Sequence, residues 1–294
     1  MTRRPAVTLM EVLIAMFIMA IGTMALMALF PVGAVSMAQA LKDDRCAYAS
    51  IMSENAAIAT NVRYGDATVA TTLNATASGL VYVDPYAALQ IPINPALSTV
   101  GGLIPRISPF FITNPLPVVP PAIPPTPQQL TDRWFSLPDD IGFNLSGMAD
   151  TSNTGPGIID RGRGYTYAYL LRRQPPFSLL NPSLTMYTVQ LYSVVYYGRP
   201  INSLTPETTL PAVGAAGLNS ITVSTTGTTL KRGRWLLDPV GGYFYRVTNL
   251  AENNFTVPPS TTVEIQQNLV LPVSFITIMD NVAEVFDKGT GWQQ

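Results

Sequence analysis

Residues 12–30 form a run of nineteen residues without a charged side chain, and this run limits the possible folds more than any other feature of the sequence. Coiled as an α-helix, nineteen residues extend about 28 Å, roughly the thickness of one membrane hydrocarbon core. Arg3 and Arg4 precede the run, whereas the four charged residues at 42–45 sum to zero. This bias predicts that the N-terminus stays in the cytoplasm and that the rest of the chain is exported.

The apolar segment allows three interpretations. It is a plain single-span anchor, or it is a secretory signal peptide cut after Ala38-Gln39-Ala40, before Leu41. Forty residues exceed the usual signal-peptide length of about 15–30 residues. The third interpretation starts from Glu11, because an unpaired carboxylate within an apolar segment costs about 2.5–3.5 kcal/mol on insertion into a membrane. Such a residue is expected to have a partner of opposite charge.

The sequence AVTLMEVL at residues 6–13 resembles the start of type IV pilins and type II secretion pseudopilins. In that family a short basic leader ends in a small residue, and Thr-Leu-x-Glu then leads into an apolar helix. A prepilin peptidase cuts after the small residue and methylates the new N-terminus. The resemblance therefore implies cleavage between Ala6 and Val7, N-methylation of Val7, and a processing motif that includes Thr8 and Leu9.

The resemblance also assigns a role in subunit assembly to Glu11, which becomes the fifth residue of the mature chain. In the family this carboxylate pairs with the N-terminal amine of a neighbouring subunit inside the filament, where an isolated charge is unstable. The amine of Val7 in the same subunit lies one helical turn away and is the alternative partner. Ala6 replaces the usual glycine and Val7 the usual phenylalanine, so we expect slower processing at most.

Composition excludes most other classes of function. The 294-residue chain is 47% hydrophobic and 12% charged, which is typical of neither a disordered chain nor a cytosolic enzyme. Its net charge of −1 provides no field that would attract nucleic acid, so nucleic acid is not an expected partner. The absence of histidine and the single cysteine exclude zinc sites built from these residues, Ser-His-Asp triads and Cys-His pairs. We predict a protein that is not an enzyme and has no catalytic residue, metal or cofactor.

Two acidic features leave this prediction unchanged. Asp139 and Asp140 are adjacent in the sequence and have no other catalytic signature near them. Residues 150–161 resemble a calcium loop only in part, because Arg161 stands at the twelfth position, where the loop needs a carboxylate.

The chain is predicted to have an α+β fold that begins with one long helix at about residues 9–62. After Pro31 the pattern becomes amphipathic, and five apolar residues recur at helical spacing. We expect this stripe to pack on the exported domain, so that one helix serves as membrane anchor and as spine. The stripe consists of Leu41, Tyr48, Ile51, Ile58 and Val62.

The remainder, residues 63–294, is predicted to be a mainly antiparallel β-rich globular domain with long loops, because 26 prolines and 21 glycines disfavour helices. Residues 65–164 are expected to be irregular. Nine prolines within residues 105–127 predict an extended segment, which is either a projecting arm that exposes three apolar residues or a loop over the domain surface. Those three residues are Phe110, Phe111 and Ile112.

Strands are expected mainly between residues 165 and 287, where short runs of β-branched and aromatic residues alternate with turn signals. The runs lie at residues 165–171, 186–197, 220–225, 234–237, 243–248, 262–269, 275–279 and 283–286.

These observations predict a leader at residues 1–6, a pilin-like helix at 7–62 with a membrane span at 12–30, and an exported domain. The function they favour is that of a minor pilin or pseudopilin, a structural subunit or initiator of a type IV pilus-like or type II secretion filament. Its partners would be prepilin peptidase and other pilin or pseudopilin subunits. It would reside in the bacterial inner membrane with its C-terminal domain exported, and then in the pilus or pseudopilus. The alternative is a single-span extracellular binding protein, an adhesin or receptor.

Overall fold

The structure is a computed structural model that describes residues 9–113, 126–137, 142–144, 149–150, 158–161, 164–174, 188–200, 204–224, 230–253 and 260–293. The chain divides into two compact units, Met1–Ala47 and Tyr48–Gln294. The second unit therefore includes the last turns of the first helix as well as the β-rich part. The predicted borders at residues 6 and 62 stay predictions.

Five helices are present in the described residues, together with two single 3₁₀ turns at Val62–Tyr64 and Pro95–Ser98. The first helix has 51 residues and keeps Pro31 in its interior. The second begins where the Asp66 carboxylate accepts hydrogen bonds from two backbone N–H groups, which satisfies donors that a helix start leaves unpaired. The helices are α1 (Leu9–Ala59), α2 (Ala67–Ala75), α3 (Pro85–Ala88), α4 (Phe110–Thr113) and α5 (Pro127–Trp134).

Fifteen strands lie in the described residues. They are β1 (Leu80–Val83), β2 (Thr99–Val100), β3 (Ile104–Ile107), β4 (Gly142–Asn144), β5 (Ala149–Asp150), β6 (Ile158–Arg161), β7 (Tyr165–Gln174), β8 (Thr188–Tyr197), β9 (Thr209–Gly214), β10 (Ser220–Ser224), β11 (Trp235–Asp238), β12 (Tyr243–Asn253), β13 (Ser260–Ile265), β14 (Val273–Met279) and β15 (Val282–Gln293).

The strands form three sheets. A six-stranded sheet has the order β15-β8-β7-β1-β3-β2, in which β1 and β3 are parallel and the other neighbours are antiparallel. A closed six-stranded barrel has the order β10-β13-β12-β11-β14-β9, and closure leaves it no free sheet edge. A small sheet has the order β5-β4-β6. A long apolar N-terminal helix followed by β-rich structure is compatible with the predicted α+β class.

Two apolar cores stabilise the β-rich part. One fills the barrel, with Ile221, Leu236, Val263 and Ile276 fully or almost fully buried. The other joins the six-stranded sheet to strands β11, β12 and β14 of the barrel. Its members are Leu80, Tyr82, Val100, Ile104, Ala168, Leu170, Val194, Tyr196, Trp235, Leu237, Phe244 and Met279.

The last turns of α1 pack through small residues. Ala49, Ser53 and Ala57 are fully buried. The Ser53 hydroxyl lies 2.6 Å from the hydroxyl of Ser193 in β8, and the Tyr169 hydroxyl of β7 donates to the Ser53 carbonyl at 2.5 Å. Small side chains allow the helix backbone to approach the sheet closely enough for these hydrogen bonds.

The predicted apolar stripe does not form this contact, and the prediction that it packs on the domain is wrong for four of its five members. Tyr48, Ile51 and Ile58 are 42%, 59% and 42% exposed, and Leu41 is exposed as well. Val62 alone of the five is buried. Helical spacing places Leu41, Tyr48, Ile51 and Ile58 on one side of α1, whereas the sheet contacts the opposite side, where small residues let it come close. Val62 lies beyond the end of α1, in the 3₁₀ turn Val62–Tyr64.

A buried ionic cluster connects segments that are distant in the sequence. The Asp84 carboxylate, which follows β1, accepts two hydrogen bonds from Arg199 at 2.9 and 2.5 Å and lies 3.4 Å from Nε of Arg106 in β3. Arg106 also bonds Glu207 before β9. Burial alone would raise the pKa of Asp84, but Arg199 and Arg106 outweigh it and hold this pKa below its ordinary value of 3.8.

Residues 65–164 differ from the expected irregular segment. Their described part contains helices α2 to α5 and strands β1 to β6, each of two to nine residues. Elements this short are too brief for a periodic pattern to reveal them. Of the proline-rich segment, residues 114–125 lie outside the described part. Ile112 is buried rather than exposed, Phe111 is partly buried, and Phe110 is 50% exposed.

The tight contact of α1 predicts that a larger side chain at Ala57 destabilises the fold. Ala57→Leu should lower the free energy of unfolding by about 1–3 kcal/mol, because a fully buried site has no room for three more carbons. Ala59→Leu, at an exposed position of the same helix, is the matched control and should change it by less than about 0.5 kcal/mol. Denaturant unfolding of the full chain in detergent measures both. Equal effects would contradict the close contact.

The ionic cluster predicts loss of stability in acid. Because the pKa of Asp84 is lowered in the folded state, its stabilising contribution is present above the ordinary value and is lost as the pH falls through the folded value. Asp84→Asn should cost about 3–5 kcal/mol at neutral pH and flatten the acid dependence, since it leaves two buried guanidinium groups without this charge. Asp280→Asn removes an exposed partner of Arg234 and should cost about 1 kcal/mol or less. Unfolding curves between pH 7 and pH 2 would contradict this account if the two variants behaved alike.

Candidate functional site

The predicted site residues fall at and before the start of α1. Ala6, Val7 and Thr8 lie outside the described residues. Leu9 is the first residue of α1, and Glu11 lies in its first turn. Both side chains are exposed. The structure therefore locates the assembly residue and the last residue of the processing motif on the helix, while the assignments of all these roles stay predictions.

An apolar surface surrounds α1 along its first half. Large apolar side chains from Leu9 to Met37 are exposed, among them Phe17, Met24 and Leu29. In the described part of the chain, α1 is the helix that is long and apolar enough to cross a membrane, and nothing buries its most apolar stretch. A helix that is apolar on all sides is not stable in water and needs lipid or other apolar helices around it.

Glu11 is the charged group within this surface. The sequence has no basic residue between Arg4 and Lys42. Along the helix, Lys42 lies about 46 Å from Glu11 at 1.5 Å per residue. No side chain of the described part of α1 can therefore neutralise Glu11 at membrane depth.

Large apolar side chains are also exposed on the last turns of α1, which belong to the second unit. Tyr48, Ile51 and Ile58 lie on the side of α1 that the sheet does not contact. They were expected in the core from their spacing, and the structure instead leaves them accessible. An exposed apolar stripe of this kind is available to a neighbouring helix.

The β-rich part contains a cleft with aromatic walls. Its volume is about 570 Å³, and Tyr192, Trp235 and Phe244 line it together with polar groups. Nη1 of Arg246 lies 3.5 Å from Oε2 of Glu284, and the guanidinium is 5.8 Å from the Trp235 ring. The indole N–H of Trp235 is buried and has no hydrogen-bond partner among the described residues. Size and mixed lining suit a small ligand.

Sequence reasoning missed this cleft, because its walls come from strands that are far apart in the sequence. The available signal was the aromatic residues of the β11 and β12 segments, Trp235 and Tyr243-Phe244-Tyr245. The tyrosine-rich strand β7 does not line this cleft. Its residues Tyr167 and Tyr169 are buried in the core, and so is Tyr196 of β8. Burial raises the pKa of Tyr196 to about 12.

The other candidates of the sequence analysis are less informative. No three potential metal ligands of the types His, Cys, Asp or Glu come together in the described ranges. Asp139 and Asp140 lie outside those ranges, as does most of the calcium-like loop. The densest basic run of the sequence is Lys231-Arg232-Gly233-Arg234, and its Arg232 and Arg234 bind Asn249 and Asp280, respectively. The predictions on metals, cofactors and nucleic acid stay predictions.

No protein-family model, curated protein or solved structure matches this chain. The features that can indicate its function are therefore the AVTLMEVL sequence, helix α1 and the aromatic cleft of the β-rich part.

Proposed function

We propose that the chain is a minor pilin or pseudopilin, a structural subunit or initiator of a type IV pilus-like or type II secretion filament. One observation carries the proposal: residues 9–13 of the AVTLMEVL motif belong to helix α1, and this helix exposes an apolar surface that contains the carboxylate of Glu11. A simple anchor has no need of a charge there, since the charge makes insertion less favourable.

In this proposal the apolar surface of α1 contacts lipid before assembly and other helices after it. Before assembly, lipid of the inner membrane surrounds the first half of α1. After assembly, the α1 helices of other subunits replace lipid, so the apolar surface stays out of water. The exposed stripe of Tyr48, Ile51 and Ile58 adds contacts beyond the membrane half. Prepilin peptidase and other pilin or pseudopilin subunits are the partners.

Glu11 sets the register between subunits in this account. Cleavage after Ala6 creates a cation at Val7, and the carboxylate of Glu11 in the adjacent subunit neutralises it in a low-dielectric filament core. An unpaired ion there is costly, so subunits dock where the two charges meet. The large β-rich part of each chain favours a low-copy or tip position over tight helical repetition.

The second candidate function is that of a membrane-anchored adhesin or receptor. The aromatic cleft favours it, because a buried indole N–H without a partner and a volume of about 570 Å³ suit a bound ligand. In that case α1 only tethers the binding domain. The two candidates differ in what they require of Ala6 and Glu11.

Ala6→Lys should abolish cleavage, because a long charged side chain replaces a small one at the scissile position. Ala6→Gly, which restores the commonest residue of the resembled family, should be cut at least as fast as the wild type. The shift in electrophoretic mobility or mass of the membrane-bound protein measures both. Cleavage of Ala6→Lys at the wild-type rate would refute processing by a prepilin peptidase.

Glu11→Val should block assembly while membrane insertion and cleavage persist. The change removes the partner of a buried amine, which costs about 3–5 kcal/mol and should reduce incorporation about a hundredfold or more. Asp43→Val removes an acidic side chain outside the apolar run of the same helix and should leave incorporation unchanged.

The measurement is the protein in sheared extracellular filaments, or crosslinked to other pilin-like subunits, relative to the membrane pool. Wild-type incorporation of Glu11→Val would contradict the intersubunit role and favour the tethered receptor.

A further inference from the structure

A second cleft of about 450 Å³ lies beside two buried arginines at the end of β7. Arg172 and Arg173 are each 8% exposed and line it, together with the exposed residue Ser78. Leu80 and Leu271 supply apolar surface to the same cleft. The guanidinium group of Arg172, so far out of water, needs a compensating negative charge.

Arg172 does not obtain this charge from the described residues. Its Nη2 donates to Oε1 of Gln190 at 2.5 Å and its Nη1 contacts the Gly241 carbonyl at 3.5 Å, both neutral acceptors. Its Nε is buried and has no hydrogen-bond partner in the described ranges. The guanidinium also lies 4.0 Å from the Tyr243 ring centre, which supports a cation without neutralising it.

Neighbouring carboxylates are engaged elsewhere. The Asp238 carboxylate accepts backbone N–H bonds from Val240 and Gly241, and burial raises its pKa in spite of them. Asp287 is reached only through Gln190, whose amide donates to it at 2.7 Å. By contrast, the buried Arg106 and Arg199 both contact Asp84 directly. Arg172 thus differs from the ion-paired arginines of the same domain.

We infer that this cleft binds the oxyanion, carboxylate or phosphate, of a small organic anion. The Nε and terminal N–H groups of an arginine form a planar fork that matches an oxyanion, and the buried Nε of Arg172 has no other hydrogen-bond partner among the described residues. Arg173 also lines the cleft, and the Ser78 hydroxyl adds a donor at the cleft wall. The apolar residues accommodate the organic body, and the volume suits a small molecule. This inference is independent of the filament proposal.

The test is isothermal titration of the full chain in detergent micelles with four probes: glucuronate, glucose 6-phosphate, inorganic phosphate and glucose. Both anionic sugars should bind about tenfold or more tightly than glucose, since they share its ring and add a charged acceptor. Inorganic phosphate separates the sources of the oxyanion. Binding equal to that of glucose 6-phosphate indicates recognition of the free ion, and weaker binding indicates that the organic body contributes.

Three variants assign the binding to this cleft. Arg172→Gln should weaken the binding of both anionic sugars about tenfold or more. Lys231→Gln removes the same charge from an exposed turn and should leave binding unchanged. Ser78→Trp keeps every charge and obstructs the cleft from an exposed position, so it should also weaken binding even if Arg172→Gln fails to fold. Circular dichroism verifies folding.

Several results would overturn the inference. They are no binding of any anion by the wild type, equal binding of glucose and glucuronate, undiminished binding by Ser78→Trp or by folded Arg172→Gln, or an equal loss in Lys231→Gln.

Discussion

The close contact between the last turns of α1 and the six-stranded sheet determines what the rest of this molecule can do. Ala49, Ser53 and Ala57 let the helix backbone approach strands β7 and β8, and Ser53 is hydrogen-bonded to both strands. Because the sheet covers the side with small residues, the larger apolar residues of the helix stay outside. The β-rich part thus packs on the side of α1 that carries small residues and leaves Tyr48, Ile51 and Ile58 exposed.

The buried arginines have different partners in two parts of the β-rich structure. Asp84 forms ion pairs with both Arg106 and Arg199, and this ionic cluster connects β1, β3 and the segment after β8. Breaking such a pair is costly because an uncompensated charge remains buried. Arg172 has only neutral acceptors in the described part of the chain. The ionic cluster around Asp84 stabilises the fold. The inferred bound anion would supply the negative charge that Arg172 lacks.

The sequence predicts the long helix and the β-rich class because both follow from local patterns. An uncharged run of nineteen residues requires a helix of membrane length, and alternating runs after residue 165 coincide with strands such as β8 and β14. Periodicity shows which residues share a side, but it does not show which side is covered, so Ile51 and Ile58 were expected inside. The cluster of Asp84 with Arg199 joins residues 115 positions apart, and no local pattern predicts such a contact. The clefts could not be predicted for the same reason.

The N-terminus of the mature protein tests the central claim, that α1 is a processed pilin-type helix, most directly. The measurement is intact mass combined with N-terminal sequencing of the protein extracted from membranes. The account predicts a chain that begins at Val7 and carries one N-methyl group, with Glu11 as its fifth residue. A chain that begins at Met1, as for a plain anchor, or at Leu41, as for a secreted protein, would contradict it.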